Sequence, residues 1–230
     1  MDSGMSLLNL LQLTDSFFPS GGFAYSWGLE TCVSGGMVDG VEGLRKFLTA
    51  YLVGQFARSD ALVVKLAFEA AEKGDLPAII RLDKKLNAVK TARECREGSL
   101  QIGRQILRVI NMLRESAFLR EFASCIEAEE SWGHHAPVFG VVCQVLELSK
   151  RSCLDAFLYQ AALGVVSAGV RLIPLGHMDG QRALERIKPL LVSLGNEIDP
   201  LSENDISSFA PGIEIRAMQH ETLYSRMFRS

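Results

Sequence analysis

Four histidines and five cysteines are the side chains of this 230-residue chain best suited to holding a metal or carrying a nucleophile. Their spacing argues against both roles. His134 and His135 are adjacent, so their rings diverge, and no helical pattern sets two histidines four apart, the step that puts two imidazoles on one face. Cys143 lies eight residues after His135, a shared face only if one helix carries both. His177 and His220 stand alone. Cys32, Cys95, Cys125, Cys143 and Cys153 are odd in number and contain no two-residue hook, which reads as free thiols in a reducing compartment. Ser16, Ser20 and Ser26 lie near Asp15, but no Gly-x-Ser-x-Gly elbow is present. No Gly-Lys pair opens a helix, as a phosphate-cradling loop requires. The expectation is a chain with no catalytic residue, no metal ligand set and no bound cofactor: not an enzyme.

Other residues suit recognition better. Gly21-Gly22, after Pro19, could turn the chain sharply and present Phe23 and Tyr25, with Ser26 capping a helix that carries Leu29 and Glu30. A bare Gly-Gly turn could also form a small anion nest, although a purely structural turn is the commoner use. Between Arg81 and Arg120 ten basic residues face four acids, and Arg93, Arg96, Arg104 and Arg108 fall near helical steps between Ile102, Ile106 and Ile110. That pattern fits a solvated face over a buried stripe, or a docking surface for an acidic partner. Small residues cluster at Ala161, Ala162, Gly164, Ser167, Ala168 and Gly169, as where another helix approaches closely, from the same chain or a second copy. Arg171 ends that run, either as a cation favoured at a helix C-terminus or as a guanidinium offered to phosphoryl-transfer charge. Beyond Pro211-Gly212, a tail carries Tyr224 and Phe228 around Arg226, residue types enriched at interface centres.

The elements that would position these groups are helical. Apolar residues recur in steps of three and four from Val41 to Leu52, Ala61 to Ala71, Thr91 to Glu115, Ala136 to Leu148, Asp155 to Arg171 and Asp179 to Leu194. Asp75 can cap a helix with Pro77 in its first turn. No period-2 run of β-branched residues appears. The fold class is all-α: one domain over 1–230, a mixed-angle helix bundle with an irregular N-terminal glycine turn and an irregular tail, 195–230, partly mobile when alone. With 48% hydrophobic and 22% charged residues and a formal charge of −3, the composition is that of a globular protein and gives no support for nucleic-acid binding. No basic n-region precedes an apolar run at the start. The most apolar stretch, Ala161 to Val170, is too short to span a bilayer before Arg171 closes it. A soluble, cytoplasmic protein without membrane or nucleic-acid partners is expected.

Five blocks, in order, give the chain a family resemblance. They are residues 10–30 (LLQLTDSFFPSGGFAYSWGLE), 92–107 (ARECREGSLQIGRQIL), 134–140 (HHAPVFG), 170–181 (VRLIPLGHMDGQ) and 220–230 (HETLYSRMFRS). Together they resemble the UreF-type urease accessory proteins, with His177, Ser20 and Trp27 as departures from the commonest residues. The resemblance implies an all-helical, usually dimeric scaffold that is not itself a hydrolase. It implies binding to UreD (also called UreH), recruitment of the nickel-carrying GTPase UreG, and delivery of nickel to apo-urease with control of GTP hydrolysis. Partner-binding residues on this reading are Phe23, Tyr25, Ser26, Glu30, Arg171, Gln181, His220, Glu221, Tyr224, Arg226 and Phe228. The other reading of the same residues is a helical GTPase-regulating module outside urease maturation.

Overall fold

The computed structural model describes residues 4–230. Among them, every regular element is a helix. α1 (Gly4–Thr14), α2 (Leu29–Ser34) and α3 (Val41–Ala50) precede an eleven-residue π-helix, Tyr51–Ala61, which runs on into α4 (Leu62–Glu72). After it come α5 (Leu76–Val89), α6 (Arg93–Leu113), α7 (Ala117–Glu127), α8 (His135–Val145), α9 (Lys150–Leu172), α10 (His177–Ile198) and α11 (Pro211–Gln219). Asp75 Oδ1 accepts from the Ala78 amide at 2.9 Å, with Pro77 in the first turn, so α5 starts as its sequence predicts.

α8 is the central rod. Every residue from Ala136 to Cys143 is buried, and α4 and α6 pack against it. Gly140 makes that packing possible: a Cβ there would lie 2.4 Å from the Val64 carbonyl oxygen of α4. α6 is two-faced in the way its periodicity predicts. Ile102, Ile106 and Ile110 are buried, while Arg93, Glu97, Arg104 and Arg108 are exposed.

Three features depart from the sequence expectation. The rod from Val41 to Glu72 is continuous, because the π-helix replaces the break between the two periodic runs. Its wider turns leave carbonyls to be used from outside: Gly54 O accepts from the Phe209 amide at 2.8 Å, and Arg58 O from the Ser207 amide at 3.0 Å. Second, the tail is only partly irregular. α10 continues to Ile198, and Pro211 does not detach the tail from the helical body but opens α11, which packs on α2. Third, α9 has 23 residues and is apolar enough by length and composition to cross a membrane, longer than the stretch bounded by Arg171. Half of its most apolar window is buried against the rest of the fold, as in a core helix. The small residues of α9 divide accordingly. A Cβ on Gly169 would meet Leu44 at 2.7 Å, whereas one on Gly164 would meet nothing.

Candidate functional site

The glycine turn, the start of α6 and the tail meet at one end of the molecule. Gly21 takes φ +79° and Gly28 φ +88°, and between them Trp27 is held at φ +56°, a conformation that costs a non-glycine residue about 1 kcal/mol or more. Trp27 is stacked on Tyr25 at 5.3 Å between centroids, and the Tyr25 hydroxyl donates to Gln101 Oε1 on α6. Gly98 gives Tyr25 its room, since a Cβ there would lie 2.5 Å from the ring. A Cβ on Gly22 would make only ordinary contacts, 3.7 Å from Ser20 Oγ and 3.8 Å from Ile102.

The tail is latched onto this turn by a buried carboxylate. Glu30 accepts from the amides of Met227 (2.6 Å) and Phe228 (2.9 Å), and its Oε2 lies 3.0 Å from His220 Nε2. The other ring nitrogen of His220 faces Glu94 Oε2 at 2.6 Å, and Arg226 Nη1 donates to Glu94 Oε1 at 2.9 Å. His220 is fully buried, so both carboxylates are met inside the fold. Backbone pairing extends the latch: Arg229 N donates to Ala24 O and Ser26 N to Ser230 O, each at 2.8 Å. Arg171 closes it from α9. Its Nη1 donates to Phe23 O at 3.1 Å, and its guanidinium lies 4.3 Å from the centroid of the buried Phe228 ring. Arg93 binds Glu221 at 2.6 Å.

The family profile named UreF matches residues 38–188. The urease accessory protein UreF of Lachnoclostridium phytofermentans is 38% identical over 224 residues, covering 97% of this chain and 98% of that protein. The proteins of the same name from Bacillus sp. (strain TB-90) and Actinobacillus pleuropneumoniae serotype 5b are 36% and 37% identical, over 97% and 96% of this chain. The chain belongs to the UreF family of urease accessory proteins.

The partner-binding residues expected from the sequence gather at this end of the molecule, with the exception of Gln181, and the 134–140 block instead opens the central helix α8. Tyr25, Ser26, Glu30, His220, Glu221, Arg226 and Phe228 lie in or around the latch, with Arg171 bridging turn and tail. Phe23 and Tyr224 are its exposed aromatics, at 76% and 106% of full exposure. Gln181 is exposed in the second turn of α10, outside the latch hydrogen bonds. Ser26 is not a simple cap. Gly28 stands at the cap position of α2, while Ser26 Oγ accepts from the Glu30 amide at 3.3 Å and donates to Ser230 O. The turn is not an amide nest either: Gly22, Ala24 and Tyr25 donate their amides within it, to Ser20 Oγ, Gly21 O and Gly22 O. Glu94 and Gln101 are the residues of this candidate site that sequence reasoning passed over. Both sit inside the quoted α6 block as polar groups one helical step from the buried stripe, which was the available signal.

The histidines do not converge, and among the described residues no group of three metal-type side chains is placed to hold an ion. His134 is completely buried, with Nδ1 3.1 Å from Ser99 Oγ and Nε2 3.1 Å from Asn87 Oδ1. Burial, then the nearby cations of Lys90, Arg104 and Arg96, push its pKa down to about 2. His135 lies against the Phe139 and Phe157 rings, and burial pushes it down to about 4. Both pKa values are depressed on folding, so the unfolded chain takes up these protons first. Stability is full above the ordinary histidine pKa of ~6.5 and falls as pH drops below it. From His134 alone the loss is about 1.4 kcal/mol per pH unit. Urea unfolding at pH 7 and pH 5 should therefore differ by about 2 kcal/mol from this residue, and His134→Gln should narrow that gap. An undiminished gap in the variant would remove His134 from this role.

Proposed function

We propose that this chain is a non-enzymatic scaffold of urease maturation that works in the cytoplasm. It binds UreD/UreH, recruits the GTPase UreG, and so supports GTP-dependent nickel delivery to apo-urease, modulating GTP hydrolysis. Family membership supports the urease context. The observation that carries the interaction site is the latch: a buried Glu30–His220–Glu94 network fixes the backbone of the turn and tail while Phe23 and Tyr224 stay outside. Rigid backbone presenting exposed aromatics is what a binding hot spot needs, because little ordering entropy is left to lose.

Arg171 serves this surface as a brace, being committed to Phe23 O and the Phe228 ring. Arg171→Ala is expected to weaken partner capture several-fold. Unchanged capture and unchanged GTP hydrolysis in the assembled complex would assign it no functional part. Self-association is proposed for the outer face of α9, where Tyr159 and Leu163 are partly exposed and Gly164 is open to close approach. A monomer mass in light scattering up to high micromolar protein would exclude it.

The direct test is a pull-down on the tagged chain from cells expressing a urease gene cluster. UreD/UreH and UreG are expected in the eluate. Gly22→Val, at a position with ordinary φ where a Cβ would make only ordinary contacts with Ser20 (3.7 Å) and Ile102 (3.8 Å), should keep the melting temperature and lose partner. Equal recovery of both partners by Gly22→Val would move the interface away from the turn.

A further inference from the structure

We propose that the groove between α6 and the glycine turn binds an extended, carboxylate-rich segment of a partner protein. It is an interaction site of this chain in its own right, and testing it needs neither UreD/UreH nor UreG. The groove has a volume of about 770 Å³. One wall is the exposed face of α6 from Glu97 to Arg108, and the other is the turn from Pro19 to Ala24. The twelve residues of that helix face, eleven rises of ~1.5 Å, give a wall of about 16 Å, the reach of about five extended residues.

The charges in this groove are unbalanced. Arg104, Arg108 and Arg229 line it with a single carboxylate, Glu97, which already lies 3.9 Å from Arg93 outside. Among the described residues none of the three guanidiniums has a carboxylate within ion-pair distance, whereas Arg45, Arg93, Arg151, Arg182 and Arg226 each have at least one. Two of the three are held in place through neutral oxygens. Arg104 Nε donates to Trp132 O at 2.9 Å, and Arg229 Nη1 to Gln101 Oε1 at 3.2 Å. Guanidiniums positioned in this way, with donors left over, suit the paired oxygens of carboxylates.

Carboxylate fits better than phosphate here because the Gly22, Ala24 and Tyr25 amides are donated within the turn and so are not gathered into a nest for an anion. A peptide fits better than nucleic acid because the basic strip is short, the chain is net acidic, and Phe23 is the only aromatic along it.

The test uses the full chain and a fluorescein-labelled octa-glutamate peptide, read by anisotropy at low and physiological salt. The double variant Arg104→Ala/Arg108→Ala is compared with Arg45→Ala/Arg182→Ala, which removes the same charge from exposed sites elsewhere. The groove variant should bind about tenfold more weakly, and the control within twofold of the parent. If losing the Trp132 contact lowers the melting temperature, Arg108→Ala alone gives the readout, since Arg108 makes no hydrogen bond or ion pair among the described residues. Equal weakening in both double variants would show nonspecific attraction and overturn the proposal. So would displacement by millimolar inorganic phosphate, which would mark a small-anion site, or equal binding of an octa-lysine peptide.

Discussion

Replacing Glu30 with alanine is expected to destabilise the protein by about 3–5 kcal/mol and to release the tail. The carboxylate accepts from the Met227 and Phe228 amides and faces His220 Nε2 at 3.0 Å. Alanine strands the part-buried Met227 amide and the buried Phe228 amide, and it leaves His220 facing Glu94 alone. Glu30→Gln keeps one acceptor oxygen but adds an amide donor among donors, so its loss should be smaller but of the same kind. The measurement is a thermal melt combined with limited proteolysis. Cleavage within 220–230 should appear in Glu30→Ala before the helical core yields. A melting temperature within a degree of the parent, with a protected tail, would mean that the latch does not hold the tail.

A second large effect is expected at Asp83. Its carboxylate accepts from Ser131 Oγ (2.6 Å) and from the amides of Trp132 (2.6 Å), Gly133 (2.7 Å) and His134 (3.0 Å). One side chain on α5 thus organises the loop that enters the central helix. Gly133 completes it at φ +79°, and α6 comes close enough that a Cβ on Gly103 would lie 2.3 Å from Gly133 O. Asp83→Ala leaves the buried amides of Gly133 and His134 and the part-buried amide of Trp132 without partners, a loss of about 3–5 kcal/mol. The effect should also reach the groove, because Arg104 is held by Trp132 O from the same loop. Urea unfolding checks the stability, and anisotropy with octa-glutamate checks the groove. A loss under 1 kcal/mol would show that the loop finds other acceptors.

The helical class was readable because burial follows periodicity: α6 alternates its apolar and charged faces over 21 residues, and α5 starts at the Asp75 cap. The π-helix was not readable. Its turns are set by what docks alongside, the Phe209 and Ser207 amides on Gly54 O and Arg58 O, and that partner is about 150 residues away in sequence. The tail failed as a prediction of local structure for a similar reason. Pro211-Gly212 signals a break, yet Pro211 fits the first turn of α11 without loss. For the site, the residue types were legible and their partners were not. Glu30 and His220 are separated by 190 residues, and nothing local to either shows that they meet in the fold. Glu94, which ties His220 to Arg226, was hidden among the other charges of a basic helix.

The central claim is that the latched turn and tail recruit the maturation partners through their exposed aromatics. It is tested most directly by the affinity of the purified Phe23→Ala/Tyr224→Ala variant for UreD/UreH. Both side chains are exposed, so truncation leaves the latch hydrogen bonds intact. The expected result is an unchanged melting temperature with affinity reduced at least about tenfold, the loss of roughly 1.4 kcal/mol that hot-spot aromatics carry. Affinity equal to the parent in a folded variant would contradict the claim and place the partner surface elsewhere on the molecule.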